Sequence, residues 1–303
     1  MRKKVLSLEA LIGGGKSVQL GMLKDFFRDD GRVAFVDEPV AEWEDSGLLG
    51  AFYDGTLPAA SFQMYALQTR QLPLFRALSS DADVVVTERS VWSDYLVFAR
   101  TAGMSSRELE AYAAALDAVQ GHIEHLSAVD LTVVYLELDV DTAMERIRRR
   151  GRKSETGVPT AYMDRLKANH ELFVGHAQTN TLAAQCRGSV AAAGRPNSGF
   201  RSDAVVLDGS RAAEELHLQL VALLEQSLSA PPSPIPSEVF QEMSPFGTTK
   251  PTRNASWNSG VGNAKGYMDA FPLQPHDLVM YERTRERSSG GGTPPLPVAA
   301  SRR

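Results

Sequence analysis

Apolar positions follow two alternating rhythms over the first 229 residues. Short runs rich in Val and Leu occur at Lys4–Leu8, Val33–Val36, Asp83–Thr87, Leu131–Leu138 and Ala204–Leu207. Such runs suit strands buried on both faces. Between them, apolar residues return every three or four positions over Lys16–Asp30, Ser61–Leu78, Ser93–Ala102, Ser106–Leu126, Asp141–Arg149, Thr160–Ala177 and Ser210–Ser227. That spacing predicts helices. Strands alternating with long helical crossovers predict an α/β fold, a five-stranded parallel sheet flanked by helices on both faces. There is no internal repeat.

After Ser229 the rhythm stops. The string APPSPIPSE opens a segment that holds most of the chain's 16 prolines, with glycine and serine runs. Residues 230–303 are therefore predicted to be a largely disordered tail. Its aromatic residues, Trp257, Tyr267 and Phe271, could dock on a partner that the sequence does not identify. Residues 1–229 are predicted to be one domain, long enough for a single good core. About residues 186–203, including CRGSVAAAGRPNSGFRS, read as a surface insertion before the last strand.

Composition narrows the function classes. At 43% hydrophobic and 23% charged residues, the chain has the make-up of a soluble globular protein. No apolar run approaches the roughly 18–20 residues that span a membrane. A net charge of −5 without a polybasic tail gives no reason to expect nucleic acid as a partner. The single cysteine, Cys186, excludes an intramolecular disulfide and suits a reducing compartment. It reads as an incidental thiol rather than a nucleophile. The first strand begins within five residues of Met1 and leaves no room for a targeting peptide, so the expected location is cytoplasmic, or nuclear.

The first candidate chemistry lies where the first strand meets the first helix. Glu9–Ser17 reads EALIGGGKS, which fits a phosphate-binding loop in its required strand–loop–helix context, with Ala10 in place of the usual first glycine. Backbone amides of Gly13, Gly14 and Gly15 and the positive end of the helix would surround phosphate oxygens. Lys16 can reach the β- and γ-phosphates, and the Ser17 hydroxyl can ligate Mg²⁺. Alanine at position 10 is compatible provided φ stays negative there.

Ligands of such sheets sit beyond the carboxyl ends of the strands. The second strand runs into Asp37-Glu38-Pro39 and the third into Glu88-Arg89-Ser90, which places acids and a fixed cation beside the loop. A third cluster holds five arginines between Arg146 and Arg152. They repel one another, and a polyphosphate would relieve that repulsion. A mobile arginine lid over a transferred phosphoryl group is the expectation.

Six strings in order, EALIGGGKS, VDEPVAEW, SFQMYALQTR, TERSVWSDYLVF, RRRGRKSE and YMDRLKANHELF, give the chain a resemblance to a known family. Over about residues 3–228 it resembles the deoxyribonucleoside kinase family of P-loop kinases, the deoxycytidine/deoxyguanosine kinase group. The resemblance implies a P-loop kinase fold with an arginine-rich lid. It also implies transfer of the γ-phosphoryl of ATP, or another nucleoside triphosphate, to the 5′-hydroxyl of a deoxynucleoside with Mg²⁺ as cofactor, in a homodimer. Helices Ser93–Ala102 and Ser106–Leu126 are the candidates for the dimer contact.

The same resemblance implies the residue roles. Glu38 would be the general base, with Arg89 holding the 5′-oxygen. Glu88 would help Ser17 hold Mg²⁺. Arg150 and Arg152 would be the lid arginines, with Arg146 near the donor base and the loop around Asp208 packed on it. Gln63 would read the nucleobase edge, walled by Trp43, Phe62 and Phe98. Tyr53 and Glu171 would bind the 3′-hydroxyl. Arg70 and Asp94 would form the floor of the base pocket beside Ala66. Such a pair narrows the space for a thymine methyl, and Asp94 can accept from an exocyclic amine that thymine lacks. Deoxycytidine and/or purine deoxynucleosides are therefore expected to be favoured over thymidine.

Two alternatives stay open at this level. One is a thymidylate-kinase-like enzyme acting on a nucleotide; the other is a catalytically silent relative serving as an assembly subunit. Glu38 would repel a monophosphate, and the full set of Lys16, Ser17, Glu38, Glu88 and Arg89 argues against silence.

Overall fold

Val5 faces one side of the sheet and its neighbours Leu6 and Leu8 the other, and this period-two alternation splits the apolar core into two layers. The computed structural model describes residues 2–155, 157–186 and 199–230. Five strands, β1 (Arg2–Ala10), β2 (Val33–Val36), β3 (Val84–Glu88), β4 (Ala128–Glu137) and β5 (Phe200–Asp208), form one parallel sheet in the order β2-β3-β1-β4-β5. β1 lies in the centre, so the loop that follows it opens where the strand order reverses.

The helices are α1 (Lys16–Phe26), α2 (Val40–Asp45), α3 (Leu48–Tyr53), α4 (Ala59–Leu78), α5 (Val91–Ser93), α6 (Ser106–Leu126), α7 (Val140–Arg150), α8 (Thr160–Gln178), α9 (Leu182–Cys186) and α10 (Ala213–Ser229). Leu20 and Leu23 of α1 and Leu220 and Leu224 of α10 cover the face that carries Leu6 and Leu8. Leu67 and Leu74 of α4, Tyr112 and Leu116 of α6, and Leu166 and Phe173 of α8 cover the other. Among the described residues no helix is long and apolar enough to cross a membrane.

The predicted elements are present, with three differences that bear on the site. The helix predicted over Ser93–Ala102 begins at α5, capped by a reciprocal pair of bonds between Ser90 and Ser93, and continues as a π-helix over Asp94–Ala99. A π-turn adds a residue to the helical circuit and re-aims side chains, and such turns recur at functional sites. α2 and α3 were too short to show a helical period; they form a small cluster in which Trp43 and Leu49 pack with Phe62 and Ala66 of α4. The predicted insertion also overlaps β5, because Phe200 is buried, pairs with Val129 and lies 4.7 Å from the Trp92 ring. Residues 187–198 of that insertion and 231–303 of the predicted tail, with Trp257, Tyr267 and Phe271, lie outside the described residues. Cys186 is buried and free, and burial pushes its thiol up, away from a nucleophilic thiolate.

Candidate active site

The loop between β1 and α1 is built from backbone. Ala10 is the last residue of β1, wholly buried and paired with Leu136, so it keeps extended geometry. Gly13 and Gly15 have φ of 82° and 89°, values open to glycine and costly for other residues. A Cβ on Gly14 would lie 2.4 Å from the Cβ of Ala10. The alanine is thus accommodated, and it makes glycine obligatory at position 14.

Lys16 opens α1 and is buried, its Nζ 3.8 Å from Oε1 of Glu88. Burial, with the nearby charge of Arg89, brings its amine down to about 8. The Ser17 hydroxyl donates to the same Glu88 oxygen at 2.8 Å. A hydroxyl and a carboxylate at the foot of a phosphate loop are hard oxygen donors. Mg²⁺ on a nucleotide needs only one or two protein oxygens beside phosphates and waters. The donor set fits that ion.

Across the cavity lies a cluster of buried side-chain charges. Arg70, from the middle of α4, donates through Nη2 to Oε1 of Glu38 at 2.8 Å, through Nε to Oδ2 of Asp94 at 2.8 Å, and through Nη1 to the Glu88 carbonyl at 2.9 Å. Arg89 brings Nε to 3.2 Å from the same Glu38 oxygen and donates through Nη1 to the Ala10 carbonyl at 2.9 Å. Its φ is 64°, an uncommon conformation for a residue with a side chain, and its guanidinium lies over the Phe98 ring at 4.4 Å. Burial pushes the Glu38 carboxyl up, but Arg89, Arg70 and Lys16 together outweigh it and hold the group at about 2. Asp94 has less cation around it, and there burial prevails over Arg70 and lifts the carboxyl to about 6. Asp37, the other acid at the end of β2, turns outward to pair with Lys24.

Loop and cluster share one cavity of about 630 Å³. Every predicted site residue lines it except Glu171 and Asp208. Gln63 is buried there beside Phe62, which stacks on Phe52 at 4.7 Å and meets Trp43 edge-on at 5.7 Å. Arg150 and Arg152 both pair with Glu155, and Arg152 also reaches Glu44 at 3.2 Å. Arg146 donates to the Gly209 carbonyl at 3.1 Å.

Two of the predicted residues, Glu171 and Asp208, do not line the cavity. Glu171 is exposed and paired with Lys167. The buried face of α8 carries Met163, Leu166, His170 and Phe173, and a residue one step past His170 is rotated about 100° off that face. Glu155, directly after the lid arginines, lines the cavity with Tyr53 and Tyr162 in its place. Asp208 turns its carboxylate back on the amide of Ser210 at 3.0 Å and toward Arg211, shaping the turn between β5 and α10. Its neighbours Gly209 and Arg211 line the cavity instead.

Sequence reasoning also passed over Glu9 and His170. Glu9 is buried in β1 and takes bonds from Ser7 and Ser90 at 2.7 and 3.1 Å, with Arg89 3.6 Å away. The signal for both was a polar residue at a position the pattern reserves for the core. For Glu155 it was an acid closing the RRRGRKSE string.

Comparison with known proteins agrees with this geometry. The chain is 28% identical to human deoxycytidine kinase over 59% of its own length and 78% of that protein. It is 30% identical to deoxycytidine kinase 2 of Gallus gallus over 57% and 74%. A putative kinase, protein 029R of Invertebrate iridescent virus 3, is also 30% identical, over 55% and 80%. The family described as deoxynucleoside kinase matches residues 6–192, which span the phosphate loop, the Glu38–Arg70–Arg89 cluster and the lid. On that match, and with those elements meeting in one cavity, the chain belongs to the deoxynucleoside kinase family of phosphotransferases.

Proposed function

We propose that the protein transfers the γ-phosphoryl group of ATP, or another nucleoside triphosphate, to the 5′-hydroxyl of deoxycytidine and/or a purine deoxynucleoside, in preference to thymidine. The observation that carries this reading is the Glu38 carboxylate. It is held ionised between two arginines, in the same cavity as Lys16 and Ser17.

The triphosphate rests on the amides of Gly13–Ser17, with Lys16 at its β- and γ-oxygens. Ser17 and Glu88 would hold Mg²⁺, which would supply neutralisation of phosphate charge. The acceptor lies between Phe62, Trp43 and Phe98, with Gln63 and Asp94 toward the base edge. Tyr53 and Glu155, which share that end of the cavity, take the 3′-hydroxyl. This places the 5′-oxygen beside Glu38 and Arg89.

A carboxylate held at about 2 is a weak proton acceptor. Phosphoryl transfer tolerates that, because its loose transition state needs the hydroxyl proton removed late. Glu38 orients the hydroxyl first and accepts its proton as the new bond forms. The lid arginines exchange Glu155 and Glu44 for phosphate oxygens. A monophosphate acceptor would place its anion against Glu38, which disfavours the nucleotide-kinase alternative.

The test is a panel of deoxycytidine, deoxyguanosine, deoxyadenosine, thymidine and deoxythymidine monophosphate with MgATP and MgUTP. Highest kcat/KM on one of the first three is expected. Thymidine equal to or above all three would sink the preference, and turnover of the monophosphate alone would sink the reaction. The homodimer belongs to the same proposal, and light scattering on the purified chain tests it.

A further inference from the structure

Arg89 is fixed on four sides by a backbone carbonyl, two carboxylates and an aromatic ring, and on the fifth it meets an imidazole. His170 is wholly buried on α8, with Nε2 3.4 Å from Nη1 of Arg89 and Nδ1 2.8 Å from the Leu166 carbonyl. A carbonyl can only accept, so Nδ1 carries the proton. A guanidinium can only donate, so Nε2 presents its lone pair. The two contacts together define one neutral tautomer. The ring lies face to face with Tyr135 at 5.5 Å and edge-on to Phe98 at 5.9 Å.

We propose that His170 is a positioning residue for Arg89, a neutral acceptor that fixes the guanidinium against Glu38 without neutralising it. The chemistry explains why an imidazole suits this place. Arg89 already faces Glu38 and Glu9. A third carboxylate would draw the guanidinium away from the reacting oxygens. An aliphatic side chain would leave Nη1 to the Ala10 carbonyl and the more distant Glu9 carboxylate.

The charged groups that bear on His170 are Arg89 at the end of β3, Lys16 at the start of α1 and Lys167 on its own helix, and all are cationic. Phe98 from the π-helix and the Tyr135 ring from β4 close the remaining sides. Burial and these cations keep the ring neutral well below the ordinary histidine range. His170 thereby ties α8, the helix following the lid, to Arg89.

This inference rests on the proposed reaction, and its test separates the two. In full-length enzyme with deoxycytidine and saturating MgATP, His170→Phe keeps the ring stack and removes the acceptor. His170→Gln places Oε1 near the position of Nε2. His170→Phe is expected to lower kcat about tenfold or more with the deoxynucleoside KM within about threefold, while His170→Gln stays within about threefold in both. A His170→Phe enzyme with wild-type kcat would overturn the proposal, as would a His170→Gln enzyme that falls as far.

Nitrogen-15 spectra of the wild-type imidazoles give a readout independent of any variant. A single Nδ1–H tautomer for His170, unchanged from pH 8 to 5.5, is expected. An Nε2–H tautomer, or an imidazolium forming near pH 6.5, overturns the assignment. Absence of turnover on every deoxynucleoside would overturn the proposed reaction, and the tautomer would still decide the role of His170 toward Arg89.

Discussion

The two halves of the cavity are made of different material. The donor half is mostly backbone: nine consecutive residues, Glu9–Ser17, turn one strand into one helix. The acceptor half is side chain. Glu38, Arg70 and the Arg89–Asp94 segment come from three separate stretches of the chain and meet in a buried set of charges with contacts of 2.8–3.2 Å. A backbone cradle works because its amides are partly spare at a helix start, and it needs only glycines to form. A buried charge cluster persists only if each ion is matched, since an unpaired one costs several kcal/mol. The donor side is therefore strict in shape, and the acceptor side strict in charge.

The largest effect should come from removing one charge on the acceptor side. Glu38→Gln keeps the shape and is expected to lower kcat by about 10²–10⁴-fold with deoxynucleoside affinity largely retained, measured by steady-state kinetics and titration. A variant that keeps a tenth of wild-type kcat would show that Glu38 is not the base.

The matching experiment on the donor side changes shape alone. Gly14→Ala sets two Cβ atoms 2.4 Å apart. Overpacking of that kind costs about 1–3 kcal/mol of folding stability, measured by denaturant unfolding. Ala10→Gly removes the opposing methyl but leaves the Leu11 carbonyl 3.0 Å away, so it should restore part of the loss. Additive effects of the two substitutions would break the contrast drawn between the halves.

A third experiment decides between two acids at the sugar. Glu155→Gln should lower kcat/KM for the deoxynucleoside by about 10- to 100-fold if a charged hydrogen bond is lost, whereas Glu171→Gln, on the exposed flank of α8, should stay within about twofold. Equal losses would return Glu171 to the site.

The smallest effect concerns pH. Lys16 is lowered to about 8 in the free enzyme, so its charge is present below pH 8 and lost as pH rises through it. kcat/KM for the nucleotide should therefore fall above pH 8, about tenfold by pH 9, while kcat falls less because bound phosphates hold the lysine protonated. A kcat/KM profile flat from pH 7 to 9.5 would contradict this. Glu38, held at about 2, should contribute no limb in that range.

How far each half was legible follows from this contrast. The phosphate loop is local and its geometry is set by the residue types it contains, so Lys16 and Ser17 could be placed from their order alone. Strand ends were equally readable, because the carboxyl ends of parallel strands share one edge of the sheet, and Glu38, Glu88 and Arg89 fall there together. Glu171 lies off the cavity lining because one residue along a helix is a 100° turn, and only packing decides which side is buried. Glu155 and His170 lay inside strings already noticed, but nothing local says that a lid acid lines the cavity or that a core histidine meets Arg89. Asp208 shows the same limit, since its carboxylate satisfies its own turn.

The sequence by itself determined the alternation of strands and helices, the glycine loop on a helix start and the set of charges at the strand ends. These follow from periodicity and short-range chemistry, which act within a few residues. Only the tertiary structure decided which charges face one another. Arg70 sits 32 residues from Glu38 and 24 from Asp94. Their union depends on how α4 and the π-helical turn pack over the sheet, and burial then fixes both their pairing and their ionisation.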